Sequence, residues 1–144
     1  MIENDTIKLL RECDAGVKMG VSSIEDVLGH VRSDELKQLL SKSKDHHECL
    51  SSDIEELLTR YHDDGKDPSF MAKGMSHMKS SMKLMMDPTD AAIADLMTDG
   101  CNMGVKSLSR YLNQYAAADE QSKDIAKKLI RIEDDLSVDM RGFL

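Results

Sequence analysis

Asp14, His47, Asp99 and Cys101 are the residues of this chain best placed to hold a cation between helices. Asp14, His47 and Cys101 fall on apolar stripes that face a core, and Asp99 stands just off one of them. A carboxylate with an imidazole suits iron or manganese, and a thiolate would draw softer metals. The run His46-His47-Glu48-Cys49 is dense in ligand types, yet consecutive helical positions point in different directions and cannot all address one ion. Cys49 borders the apolar stripe and reads as a small buried hydrophobe, as do Cys13 and Cys101. The three Cys residues are far apart with no C-x-x-C pair, so zinc-knuckle and thioredoxin-type chemistry is excluded.

A second constellation is made of thioethers. Met71, Met75, Met78, Met82 and Met85 recur at helical spacing, with His77 beside them and Met86 following. Such a stripe could select Cu(I), or present a partner-binding face. Packing is preferred, because Met is an ordinary gap filler and no nearby Cys supports copper. There is no G-x-G-x-x-G after a strand, no Walker sequence and no EF-hand loop. Runs such as Asp63-Asp64 and Glu133-Asp134-Asp135 read as solvated faces.

The elements that must position these residues follow from apolar spacing. Ile7, Leu10, Asp14, Val17, Val21, Ile24, Leu28 and Val31 recur at steps of three and four, one acid standing in an otherwise apolar face. The spacing predicts a first helix over about 4–32, with Asn4 or Asp5 as its cap. Ser33, followed by Asp34 and Glu35, starts a second helix over about 34–63, whose face is Leu36, Leu40, Ser43, His47, Leu50, Ile54, Leu57 and Tyr61. Gly65 can take the left-handed conformation that closes it. Asp67-Pro68 and Asp87-Pro88 bracket a helical crossover over 67–87.

A third helix over about 88–116 shows Ala91, Ala94, Thr98, Cys101, Val105, Leu108, Leu112 and Tyr115. A fourth over about 120–141, capped by Asp119, shows Ile125, Leu129, Ile132, Leu136 and Met140, with Phe143 beyond. His30 and His62 sit at helix C-termini, where an imidazolium favours the helix dipole. The fold expected is all-α: one antiparallel four-helix-bundle domain over 1–144.

An internal repeat supports that plan. Gly16-Val17-Lys18-Met19-Gly20-Val21 lines up with Gly100-Cys101-Asn102-Met103-Gly104-Val105, so the first helix corresponds to the third and the second to the fourth. A helix-interior Gly costs about 1 kcal/mol relative to Ala, so two in each helix imply close approach of neighbouring backbones.

Two helical hairpins in tandem with a longer connection resemble the small bacterial ferritin-like bundles of unknown function. The matching features are the helix order, Gly65-x-x-Pro68 at the crossover entry, His77, Lys79 and Lys83 within it, and a Gly-containing third helix ending at Tyr115. The resemblance implies a di-metal centre built from two Glu and two E-x-x-H pairs. No E-x-x-H occurs here: Lys44 stands where the partner of His47 should be, Thr98 matches Asp14, and Leu129 occupies a place for His. Asp14 and His47 also differ in level along the bundle by roughly 7 Å at 1.5 Å per residue. A complete centre is not expected. Hydrogen-bonded burial of Asp14 and His47, through Ser43, Thr98 or water, is the better reading.

Composition sets the outer bounds. The chain has 144 residues, 40% hydrophobic and 32% charged, with 3% aromatics and no Trp, so its core must be aliphatic and Met-rich. A net charge of −8 with no basic stripe argues against nucleic acid. The acidic, polar start at Met1-Ile2-Glu3-Asn4-Asp5 is unlike a signal peptide, and no apolar run is long enough to span a bilayer. The expectation is a cytoplasmic, non-enzymatic structural or interaction module with a degenerate metal site, self-associating or binding a protein partner. The alternative is an iron- or manganese-binding redox or storage protein using the reduced set Asp14, His47, Asp99 and Cys101.

Overall fold

Ser33 holds an extended backbone (φ −70, ψ 128) and its hydroxyl accepts the amide of Leu36 at 3.2 Å, so the second helix starts where the sequence places it. Asp119 caps the amide of Ser122 at 2.8 Å, and Thr89 caps that of Ala92 at 3.1 Å. Each oxygen satisfies an amide that the first helical turn leaves unpaired, worth about 1 kcal/mol. The computed structural model describes residues 4–66 and 89–144. Its helices are α1 (Asn4–Leu28), α2 (Asp34–Arg60), α3 (Asp90–Gln114) and α4 (Glu120–Met140), followed by a single 3-10 turn, Arg141–Phe143. No strand occurs among the described residues. The crossover expected over 67–87, with its Met stripe, His77, Lys79 and Lys83, lies outside them.

The ends of the helices correct the sequence in two places. α1 stops at Leu28, short of 32, and Val31 is buried from the loop instead. α2 closes before Gly65. His62 takes the left-handed conformation (φ 60), its amide donates to Thr59 O at 3.0 Å, and that of Asp63 donates to Leu58 O at 2.8 Å. These are the paired bonds of a Schellman closure, made here on a residue with a Cβ. A non-glycine residue in this region loses about 1–2 kcal/mol. His62→Gly should therefore raise the unfolding free energy by about 1 kcal/mol, read from the urea midpoint at constant m-value.

The four helices form a bundle in which α1 packs along α2 and α3 along α4, while α4 also touches α1 and α2, and α1 touches α3. Their apolar faces make two clusters. One joins Leu9, Leu10, Cys13 and Val17 to Leu50, Ile54 and Leu57, with Leu108, Ile125 and Leu129. The other joins Ile24 and Val27 to Leu36 and Leu40, with Ile93, Met97, Leu136 and Met140. Each fully buried Leu or Ile contributes about 1.5–3 kcal/mol, so these clusters hold the helices together. The face of α3 is shifted at its start: Ala92, Ile93, Ala94 and Met97 are buried and Ala91 is exposed. Ile93 and Met97 carry the volume there, and a lone Ala reports poorly on direction.

Loops are tied across the bundle. The Asp90 carboxylate accepts the amides of Arg32 and Ser33, both at 2.9 Å. At the other end Thr6 Oγ1 accepts the Asp119 amide at 2.8 Å. Asp5, a candidate cap for α1, accepts the Ala117 amide at 3.1 Å. No helix among the described residues is long and apolar enough to cross a membrane.

Candidate functional site

A polar layer separates the two apolar clusters. At that level α1 contributes Gly20, α2 Ser43 and His47, α3 Gly104 and Cys101, and α4 Glu133. His47 is fully buried and Glu133 is 8% exposed. His47 Nδ1 lies 2.7 Å from the Ser43 carbonyl, and Nε2 lies 2.8 Å from Glu133 Oε1. A carbonyl oxygen can only accept, so Nδ1 carries a hydrogen. A further proton must then lie on the line between Nε2 and Glu133. With imidazolium and carboxylate the pair is a buried ion pair of no net charge.

Burial is the largest influence on the His47 pKa and pulls it down. The Glu133 hydrogen bond and charge, with the Ser43 carbonyl, outweigh it, and the net direction is up from 6.5. A raised His pKa contributes stability that is whole below the unfolded value and lost as pH rises through the folded one. The urea midpoint should therefore fall as pH climbs above 6.5 toward the folded pKa. That part of the slope should vanish in the His47→Leu/Glu133→Leu double variant.

The glycines serve this layer. A Cβ on Gly20 would stand 2.6 Å from His47 Nε2 and 2.7 Å from its Cδ2, and one on Gly104 would stand 3.4 Å from Glu133 Oε2. Gly16 faces only Leu129 Cδ2, at 3.4 Å, and Gly100 faces nothing within 4 Å. The close backbone approach expected of all four is thus replaced by clearance for side chains, and it is tight only at Gly20. Cys101 is buried beside Glu133; burial first, then the carboxylate's charge, pushes its thiol pKa upward. It is held as a thiol, unlike the thiolate that ligates metals.

Asp14 belongs elsewhere, in the half of α1 that packs on late α2. It is 1% exposed, and its Oδ2 accepts from Lys18 Nζ at 2.8 Å and from the Lys66 amide at 3.0 Å. Gly65 passes so close, at φ 81, that a side chain there would run into this carboxylate. Asp63 pairs with Arg11, and Lys66 Nζ with Glu12 at 2.6 Å, so with Asp14 three ties within about one turn of α1 fasten the exit of α2 to it. Oδ1 of Asp14 has no partner among the described residues. Burial is also what pushes the nearby Cys13 thiol up to about 12, helped by the charges of Glu12 and Asp14.

Of the four sequence candidates, then, the polar layer brings together two, His47 and Cys101, through Glu133. Asp14 is occupied by the hairpin exit and Asp99 is exposed on α3. Thr98 donates its hydroxyl to Ala94 O at 2.8 Å, within its own helix. Cys49 is exposed, against the expectation of burial, because its position borders the apolar face of α2 without entering it. His47 and Cys101 both neighbour Glu133, yet among the described residues no group of three His, Cys, Asp or Glu side chains is placed to hold one metal ion.

Comparison of the chain with protein-family models, with curated proteins and with solved structures returns no match in any of the three. Function has to be argued from this geometry. Its central acid, Glu133, was missed in the sequence, where Glu133-Asp134-Asp135 reads as solvated. One signal could have found it. Counted from the caps Ser33 and Asp119, His47 and Glu133 both stand fourteen residues into their helices.

Proposed function

We propose that this chain is a cytoplasmic, non-enzymatic bundle on the ferritin-like plan, a structural or interaction module working through self-association or a protein partner. The observation that carries the reading is the double engagement of His47. Both ring nitrogens face protein oxygens, at 2.7 and 2.8 Å, whereas a metal-binding imidazole must present a lone pair to the ion. Glu133, the acid that a bundle-centre metal would need, is turned to that imidazole. Asp14, the other inward acid, is engaged by Lys18 and Lys66.

An antiparallel arrangement accords with clusters that join early α1 to late α2 and early α4. An internal repeat accords with the reciprocal loop ties, Thr6 to Asp119 and Asp90 to Ser33, eighty-four residues apart in their acceptors like Gly20 and Gly104.

Metal content tests the proposal. Protein expressed with iron, manganese, zinc and copper available should purify without stoichiometric metal, and chelator should leave its melting temperature unchanged. Stoichiometric metal that disappears in His47→Ala or Glu133→Ala would overturn it in favour of metal chemistry at the polar layer.

A further inference from the structure

A buried ion pair between α2 and α4, His47–Glu133, joins equivalent positions of the two hairpins. His47 and Glu133 each lie fourteen residues beyond a capping residue, Ser33 or Asp119. Leu50 shares a cluster with Leu129 on one side of them, and Leu40 shares one with Leu136 on the other. Late α2 therefore meets early α4, early α2 meets late α4, and the helices cross at the pair. The features around it are matched as well. Gly20 leaves room at His47 and Gly104 at Glu133; Thr6 holds the Asp119 amide and Asp90 the Ser33 amide.

Matched hairpins carry a hazard. An α1–α2 hairpin presents much the same apolar face to α3–α4 as to the α1–α2 hairpin of a second copy, and apolar packing discriminates weakly between them. The residues at the crossing do discriminate. Two like hairpins would set His47 against the His47 of another copy, or Glu133 against another Glu133. With each Nδ1 donating to its Ser43 carbonyl, two facing imidazoles would have two lone pairs and no proton between them, or one buried unpaired cation. Two facing carboxylates could not both stay ionised. Leaving a buried charge without its partner shifts such an equilibrium on the order of a hundredfold or more.

We propose that His47–Glu133 is a pairing key, directing the α1–α2 hairpin onto α3–α4 and away from the like hairpin of a second copy of this chain. It is independent of the scaffold reading, since metal content leaves the pairing rule untouched. The key is polar where a pair of Leu would pack as well, and the benefit of a buried ion pair lies in choosing partners more than in net stability. Both hairpins belong to one chain, which raises their mutual concentration, so the choice matters most when the protein is concentrated.

The full chain tests this in two complementary variants, Glu133→His, which places His at both crossing positions, and His47→Glu, which places Glu at both. Each is unfolded and refolded at high concentration, alone and mixed in equal amounts, with one variant mass-labelled, and the products are read by native mass spectrometry. The key predicts that the mixture assembles 1:1 heterodimers in at least about tenfold excess over self-paired species, because every crossing between unlike chains restores a His–Glu pair. This holds whether or not either variant folds alone. Variants that each refold by themselves and ignore one another, or a mixture that folds no better than its parts, would overturn the proposal.

Discussion

Glu133→Ala should lower the unfolding free energy by about 3–5 kcal/mol at neutral pH, a large part of the roughly 5–15 kcal/mol that keeps a domain of this size folded. The loss arises from what is left behind. His47 is fully buried, its Nδ1 stays committed to the Ser43 carbonyl, and its Nε2 loses the carboxylate facing it. The ring must then either keep an uncompensated charge or give up a proton that the pair had held. Replacing both partners by Leu removes the buried polar atoms together, and the double variant should lie within about 1–2 kcal/mol of the wild type. Urea unfolding of the two variants and the wild type measures the contrast. The deficit of Glu133→Ala should also narrow as pH rises through the folded pKa of His47, where the wild type loses the same interaction. A pH-independent deficit would show that lost packing dominates, and equal deficits for the single and double variants would show that no buried charge is being compensated.

Gly20→Ala should destabilise by about 2–3 kcal/mol, although the same change in a helix interior ordinarily stabilises by about 1 kcal/mol. The added methyl would lie 2.6 Å from Nε2, inside any real contact distance. The imidazole is held at both nitrogens, so it cannot turn aside without breaking a bond to a charged group, worth about 1.5–3 kcal/mol. Gly100→Ala is the control: its Cβ meets nothing within 4 Å, and the propensity gain of about 1 kcal/mol should appear in full. Opposite signs at these two glycines, measured as urea midpoints, would separate the role of clearance from that of helix propensity. If Gly20→Ala were stabilising, the polar layer would have to be looser than its distances imply.

Much of this architecture was legible residue by residue. The all-helical class, the caps Ser33 and Asp119, and the inward faces of α1 and α2, with Asp14 and His47 in them, depend on contacts within a few residues of one another. Periodicity and capping chemistry report those directly. The closure of α2 was misplaced by three residues because Gly65 is the expected left-handed residue, whereas His62 accepts that conformation to make the two closing bonds. Gly65 has a different use, which is to let the chain pass against Asp14.

The partners of the buried polar groups were decided only by tertiary structure. Ile132 and Glu133 are neighbours at the edge of one helical face, and which of them enters the core depends on how far α4 is rotated when it packs on α2. Hydrophobicity alone favours Ile132. The observed rotation buries Glu133 because His47 stands opposite it, eighty-six residues away in sequence, and because Gly20 and Gly104 leave room for both side chains. By itself the sequence determined which helices form and where most of them begin. The packing of one helix against another determined which acid meets which base, since a helix can turn by one residue at little local cost while a buried charge cannot be left without its partner.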